Sequence, residues 1–396
     1  MTPIRRRSFL KGSLAAGLGL AAGRGPLASW AQDAPKVRGV IWLWMEGGMS
    51  PSFTWDPKAA GKTKAIDTTI GDIQVSELMK VSASQMTHLS ILRTVTHGYV
   101  DPGLAAWAMH AAPQSGFQTD QPLLGTILAK ELARELTPLP PHLVLDGPTF
   151  SEAPVFGERV LPFVIPSIRD PIPNLRRSVD AARDLERGKL LLGQNQEWSS
   201  LRQQREVAKQ DNSLLLSEEL MKTPALRVFN LLDEPASLRE EYGEGFGEHC
   251  LLARRLMESG CAFVELGLRG WDSKPTLSLA PVLDRALGTL VKDLAEKNLL
   301  RETLVVCATE FGRGMAFPQA PAPRGFSVVL AGGSLAGGRV YGDTGPWGTD
   351  SKSPVSIQDL FATLYKACGV DAGKLYVREG RKFKYLSGGK PIDDLF

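Results

Sequence analysis

Asp56, His97, Asp101, Asp272 and Glu310 are the residues of this sequence whose types and positions could do chemistry. Carboxylates and imidazoles gathered at converging strand ends can hold one or two divalent ions. Such ions sharpen a nucleophile and neutralise a phosphate or sulfate oxygen. On that reading Thr96 or Thr54 is the candidate nucleophile. Asp56, Asp272 and Glu310 would then hold the cation, Mg2+ or Ca2+ for an all-oxygen set, with Zn2+ as the other option. The opposing reading needs no cofactor: Asp56 and Asp272 cap turns, Glu310 pairs with Arg313, and His97 fills a polar niche. The histidine inventory weighs toward this second reading. The chain has five, His88, His97, His110, His142 and His249. None lies beyond residue 249, and zinc sites rely on imidazole or thiolate. His97-x-x-x-Asp101 is a fragment of a site that any loop can show by chance, and His110, with Trp107 and Met109 beside it, reads as packed.

The elements that must position these residues follow from periodicity. Residues 37–45 are an apolar, β-branched-rich run, which predicts a buried strand closed by Gly47-Gly48. Further strands are predicted at 88–95, 141–147, 261–268, 303–311 and 326–333. Between them the pattern predicts a helix over 102–112 with Pro102 in its first turn, another over 120–135, and one stopped by Gly260. Leu279, Leu283, Leu287, Leu290 and Leu294 fall on one face of a further helix. Ser356 with Asp359 opens a last helix that closes at Gly369. Residues 150–175 are proline-rich and irregular, and about 176–242 reads as a charged helical insertion without the heptads of a coiled coil. Strands alternating with helices imply an α/β domain, a mainly parallel sheet with helices on both faces. Ligands in such sheets sit at the carboxyl ends of strands. The loops there begin at Glu46, Thr96, Arg269 and Glu310, and they carry the five candidates.

Composition narrows the classes. A net charge of +3 over 396 residues makes no case for nucleic acid. The cysteines, Cys250, Cys261, Cys307 and Cys368, include no CxxC pair. Cys250 and Cys261 could pair in an oxidising compartment, although unpaired core thiols suit them better. No GxSxG, GxGxxG or Walker A pattern occurs, which leaves α/β-hydrolase chemistry and nucleotide loops unsupported. At the N-terminus Arg6-Arg7 is followed by Ser8-Phe9-Leu10-Lys11, a modest apolar run and Ser29-Trp30-Ala31. That order matches a twin-arginine export signal over residues 1–31, ahead of one domain at 32–396. The expected location is the periplasm or beyond, reached through the twin-arginine machinery, with no membrane span after cleavage.

Several motifs taken together resemble a known family. They are "GGMSPSFTWDPK", "LREEYGEGFGEHCLLARRLMESG", "RGWDSK", "LVVCATEFGR", "FSVVLAGGSLAGGRVYG" and "SIQDLFATLYKACGV". They are similar to the exported bacterial family known as domain of unknown function fifteen-oh-one, a branch of the alkaline phosphatase and sulfatase superfamily. The resemblance implies an alkaline-phosphatase-like α/β sandwich with metal ligands at strand ends, and a co-exported partner protein. It also exposes departures. Pro51 stands where the family has a histidine and Phe53 where it has an inner aspartate, while Asp56 keeps the outer one. Gly-Trp-Asp-Thr-His becomes Gly270-Trp271-Asp272-Ser273-Lys274. Glu310 to Arg313 keep Glu-Phe-Gly-Arg, but the following Asp-His aligns with Ala320-Pro321. Each change removes a cation-binding group. The expectation is therefore an exported, catalytically degenerate protein without a metal. Its relic cleft would comprise Asp56, His97, Asp101, Asp272, Lys274, Glu310 and Arg313. The cleft would bind a partner protein or an anion, with Arg93, Lys274, Arg313 and Arg324 as positive charge. A metal-dependent phosphate- or sulfate-ester hydrolase is the alternative.

Overall fold

The protein is described here by a computed structural model over residues 37–112, 121–134, 137, 139–150, 155–168, 180–201, 223–273, 276–314, 321–322, 324–348, 350–378 and 380–396. The expected export signal, Lys274 and Ala320 lie outside the described residues. In chain order the strands are β1 (Gly39–Glu46), β2 (Ala65–Asp67), β3 (Gln74–Ser76), β4 (Leu89–Thr96), β5 (His142–Leu145), β6 (Phe163–Ile165), β7 (Phe263–Arg269), β8 (Thr303–Ala308), β9 (Gly312–Arg313), β10 (Pro321–Ala322), β11 (Arg324–Gly332), β12 (Arg339–Tyr341), β13 (Val355–Ser356), β14 (Leu375–Arg378) and β15 (Arg381–Lys384).

β1 sits near the middle of the main sheet, whose order is β12-β4-β11-β8-β1-β7-β5-β6, with β13 extending along β4. It pairs in parallel with β7 and β8, and Val40 lies opposite both Phe263 and Leu304. Its side chains alternate between two covered faces. Ile41, Leu43 and Met45 join the core under helices Phe246–Glu258 and Thr276–Glu296. Val40, Trp42 and Trp44 join the core under helices Pro102–Ala111, Leu124–Leu132 and Ile357–Cys368. A strand covered on both faces reads as one unbroken apolar run, which is why β1 shows no polar alternation.

The sheet is parallel except for β11, which runs antiparallel to both β4 and β8. A parallel return needs a crossover of a dozen or more residues, usually helical. Between β8 and β11 the chain instead forms the β9–β10 ribbon and turns back on itself. The predicted capping box is present: Asp359 N–H donates to Ser356 Oγ at 3.1 Å, Ser356 N–H donates to Asp359 Oδ2 at 3.2 Å, and Gly369 ends the helix at φ 67.

Other elements differ from expectation. The helix expected over 120–135 spans only Leu124–Leu132, because Leu123 at ψ 163 and Ala133 at ψ 138 leave helical backbone at its two ends. The irregular 150–175 stretch supplies β6, paired in parallel with β5. The helical insertion contributes Ala181–Leu201 and Ala236–Tyr242, with residues 202–222 outside the described set. The β2–β3 and β14–β15 hairpins were not signalled by the sequence pattern. Cys250, Cys261, Cys307 and Cys368 are buried free thiols, so Cys250 and Cys261 do not pair. No helix among the described residues is long and apolar enough to cross a membrane.

Candidate functional site

The site is built around one glycine. After β1 the chain turns through Gly47 at φ 111 and Gly48 at φ 91. A Cβ on Gly47 would lie 2.5 Å from the Asp272 backbone nitrogen and 3.1 Å from Asp272 Oδ1, so only glycine fits. The close approach comes from the parallel pairing of β1 with β7, whose loops leave the sheet side by side: Gly270 and Trp271 both donate their N–H to Glu46 O.

The Glu310-Arg313 pair arrives from the neighbouring β8 and brackets the Gly47 peptide. Gly47 N–H donates to Glu310 Oε1 at 2.7 Å, while Arg313 donates from Nε to Gly47 O at 2.8 Å and from its second nitrogen to the same oxygen. Thr309 adds a further tie. Its hydroxyl donates to Met45 O at 2.8 Å and accepts from Met49 N–H at 3.1 Å. Glu310 and Arg313 thus both hydrogen-bond the loop backbone, and in place of the close ion pair expected from the sequence Arg313 acts on Glu310 only through its charge. Burial pushes the Glu310 carboxyl up to about 7, against the pull of the Gly47 N–H, Thr309 and Arg313.

His97 closes the cluster from the end of β4. Its Nδ1 accepts from Tyr99 N–H at 3.1 Å, which leaves the proton on Nε2, and Nε2 donates to Glu310 O at 2.5 Å. Burial holds its pKa below the ordinary imidazole value, so the ring is neutral with both nitrogens committed.

Asp56 lies apart from this cluster in a buried charge network. Its Oδ1 is 2.8 Å from Lys58 Nζ and 3.4 Å from Arg93 Nε, and its Oδ2 accepts from the Thr344 hydroxyl. Arg93 also donates to Trp55 O at 3.1 Å and Gln74 O at 2.7 Å. Asp101 caps helix Pro102–Ala111, its Oδ1 accepting from Leu104 N–H at 2.8 Å. Thr54 is fully buried and donates to Ser50 O at 2.9 Å, so it is no nucleophile facing a substrate. Thr96 ends β4 between Arg324 and Ser356 as a ladder residue. The structure therefore brings together His97, Asp272, Glu310 and Arg313 around Gly47, and leaves Asp56, Asp101, Thr54 and Thr96 in separate supporting roles.

A divalent ion does not fit these residues. The trio Asp56, Asp272 and Glu310 is not assembled as a ligand set, and among the described residues no three His, Cys, Asp or Glu side chains are grouped to hold a metal. Glu310 Oε1 is taken by a backbone N–H, Asp56 by two cations and a hydroxyl, and Phe53 is a buried core ring. Of the cations expected around the cleft, Arg93 and Arg313 direct N–H groups to backbone carbonyls. The side chains of Lys274 and Arg324 lie outside the described residues.

Sequence reasoning missed several members of the site. Thr309 precedes Glu310 and is readable as part of "ATEFGR", and Lys58 closes "GGMSPSFTWDPK" two residues after Asp56, but Thr344 carries no local signal. A fifth strand-end loop, after β5, places Asp146 in the left-handed region at φ 54, its carboxylate 3.8 Å from Arg269. Arg269 also reaches Glu46 at 3.2 Å.

A family model described as "Protein of unknown function (DUF1501)" matches residues 37–396. No curated protein matches the chain in sequence. Among solved structures it is similar to a protein in the alkaline phosphatase superfamily from Vibrio parahaemolyticus, at 12% identity and a TM-score of 0.42, covering 85% of this chain and 67% of that one. It is similar to the phosphonate monoester hydrolase of Silicibacter pomeroyi at 11% identity and a TM-score of 0.41, covering 90% and 78%. The lipoteichoic acid synthase LtaP of Listeria monocytogenes follows at 9% identity and 0.39, covering 86% and 74%.

Proposed function

We propose that this chain, which belongs to the DUF1501 family over residues 37–396, is an exported, non-catalytic binding protein. It keeps the backbone of a strand-end active site and presents the rim to a partner protein. The observation that carries the reading is the bracketing of Gly47: the carboxylate and guanidinium best placed for chemistry are bonded to the protein's own peptide. Buried polar groups so satisfied rigidify a loop and have little left to offer a substrate. The rim favours a protein partner. Val100 and Leu104 follow β4, Trp347 lies between β12 and β13, which both pair with β4, and all three are exposed large apolar side chains. Exposed tryptophan on a well-tied loop is the kind of anchor that protein interfaces use. Gly345 N–H donates to Asp343 Oδ1 at 2.8 Å and Asp350 N–H to Thr344 O at 3.1 Å, which ties the loop carrying Trp347. Export through the twin-arginine machinery draws on Arg6-Arg7 and the apolar run behind them.

Elemental analysis of the purified protein, together with turnover of phosphate and sulfate monoesters, tests this reading. The expected result is no stoichiometric divalent metal and no turnover. Bound Mg2+, Ca2+ or Zn2+ at one equivalent, with turnover abolished by Asp272→Ala, would overturn it. One observation favours the hydrolase alternative: Gly47 has the Glu310 carboxyl, which burial pushes up to about 7, on its N–H and the exposed Asp272 against its Cα, two carboxyls of the kind that proton transfer uses.

A further inference from the structure

All four cysteines are free thiols shut into the core, Cys250, Cys261 and Cys307 on one side of the sheet and Cys368 on the other. A thiol reacts as its thiolate, and burial pushes each of the four up, Cys261 and Cys368 to about 12. In the folded chain they are therefore inert. In the unfolded chain they are ordinary thiols, and their spacing decides which of them meet. Cys250 and Cys261 are 11 positions apart, while the next-nearest pair, Cys261 and Cys307, is 46 apart. Loop closure falls off as the three-halves power of length, so Cys250 meets Cys261 about eightfold more often than Cys261 meets Cys307.

The native fold forbids that pair. Cys250 lies six residues before Leu256 on helix Phe246–Glu258, which is about 9 Å of helical rise. The chain then turns through Gly260 at φ 84, and Cys261 N–H donates to Leu256 O at 3.0 Å, which places Cys261 farther along the axis than Leu256. A disulfide needs its two Cα atoms within about 7 Å. The Cys261 thiol is also engaged elsewhere, donating to Pro140 O at 3.3 Å and Pro141 O at 3.5 Å just ahead of β5. The helix and a Cys250–Cys261 bridge thus exclude each other. We propose that this chain completes its fold under reducing conditions, and that an oxidant reaching it earlier joins Cys250 to Cys261 and shuts out the native fold. In that step one cysteine thiolate attacks a small disulfide such as oxidised glutathione and releases one glutathione. The second cysteine thiolate displaces the other glutathione, so two protein thiols become one disulfide and their electrons and protons leave on two glutathione thiols. This is independent of the partner-binding reading.

Refolding of the denatured, reduced full chain in reduced or in oxidised glutathione tests it, with the native fraction read as protease-resistant chain. Recovery is expected in the reduced buffer, severalfold less in the oxidised one, and a return of the lost fraction on adding dithiothreitol. Peptide mapping of the blocked chain should show Cys250 joined to Cys261 as the chief disulfide. Cys261→Ala should regain most of its recovery in oxidised glutathione, while Cys368→Ala should stay as sensitive as the wild type. Each variant is compared with its own recovery in the reduced buffer, which separates oxidation from a loss of stability. The folded wild type, held in oxidised glutathione and then denatured, should still show all four thiols. If the denatured chain does not refold even with reductant, cell-free synthesis of the full chain in the same two buffers makes the same comparison. Equal recovery in both buffers, or a blocked chain without the Cys250–Cys261 bridge, would sink the proposal.

Discussion

At the residue scale, Glu310 ties a loop backbone from a position at a strand end. Its carboxyl is buried and bonded to Gly47 N–H, and its pKa rises from 4.5 to about 7. Between those values the folded chain holds a proton that the unfolded chain has released. The stability this provides is complete below pH 4.5 and is lost as pH rises through 7, a change of about 3 kcal/mol at most. Glu310→Gln removes this titration, so over that window the wild type should lose stability relative to the variant. Denaturant unfolding at stepped pH reads the difference. Gly47 is the complementary case. A Cβ there would meet the Asp272 backbone nitrogen at 2.5 Å in a conformation that side chains avoid. Gly47→Ala should lower stability by about 3 kcal/mol or more, read as a fall in melting temperature.

At the scale of elements, a buried charge cluster fastens the two helices on one face of the sheet. Arg254, on helix Phe246–Glu258, lies 2.9 Å from Asp293 on helix Thr276–Glu296 and 2.8 Å from Glu234 in the preceding turn. Tyr242 Oη donates to the same Asp293 oxygen at 2.9 Å. Arg254→Ala would leave two carboxylates in low dielectric with one cation removed, a loss of about 3–5 kcal/mol. Asp293→Asn, which keeps hydrogen bonding in place, should cost less. Equilibrium denaturation of the two variants orders them, and equal costs would mean that charge compensation is not what holds the helices. A buried carboxylate makes a second such tie. Asp284 accepts from Val81 and Ser82 N–H at 2.9 and 2.8 Å, tying helix Thr276–Glu296 to the short helix before β4.

At the scale of the whole molecule, a sheet covered on both faces supplies the core, and the proposed function expects no bound ion to add to it. Anything that binds only the folded state raises its stability, by about 2.7 kcal/mol at a hundredfold excess over Kd. EDTA should therefore leave the melting temperature unchanged, and added Mg2+, Ca2+ or Zn2+ should not raise it. A drop with EDTA that is reversed by one of these ions would show a site that the strand-end residues do not account for.

The sequence by itself determined the layers of this protein. The apolar run of β1, the leucine stripe of helix Thr276–Glu296 and the Ser356 capping box are local patterns, written in neighbouring residues by the burial and capping they serve. The strand-end loops were located the same way. Tertiary structure alone decided what the residues in those loops do. Glu310 meets Gly47 across 263 positions, and Asp56 meets Thr344 across 288. A side chain bonded to a backbone group so far along the chain leaves no period and no spacing to read. The antiparallel return of β11 was hidden for the same reason, since strand direction depends on the path of the connection and not on the composition of the strand.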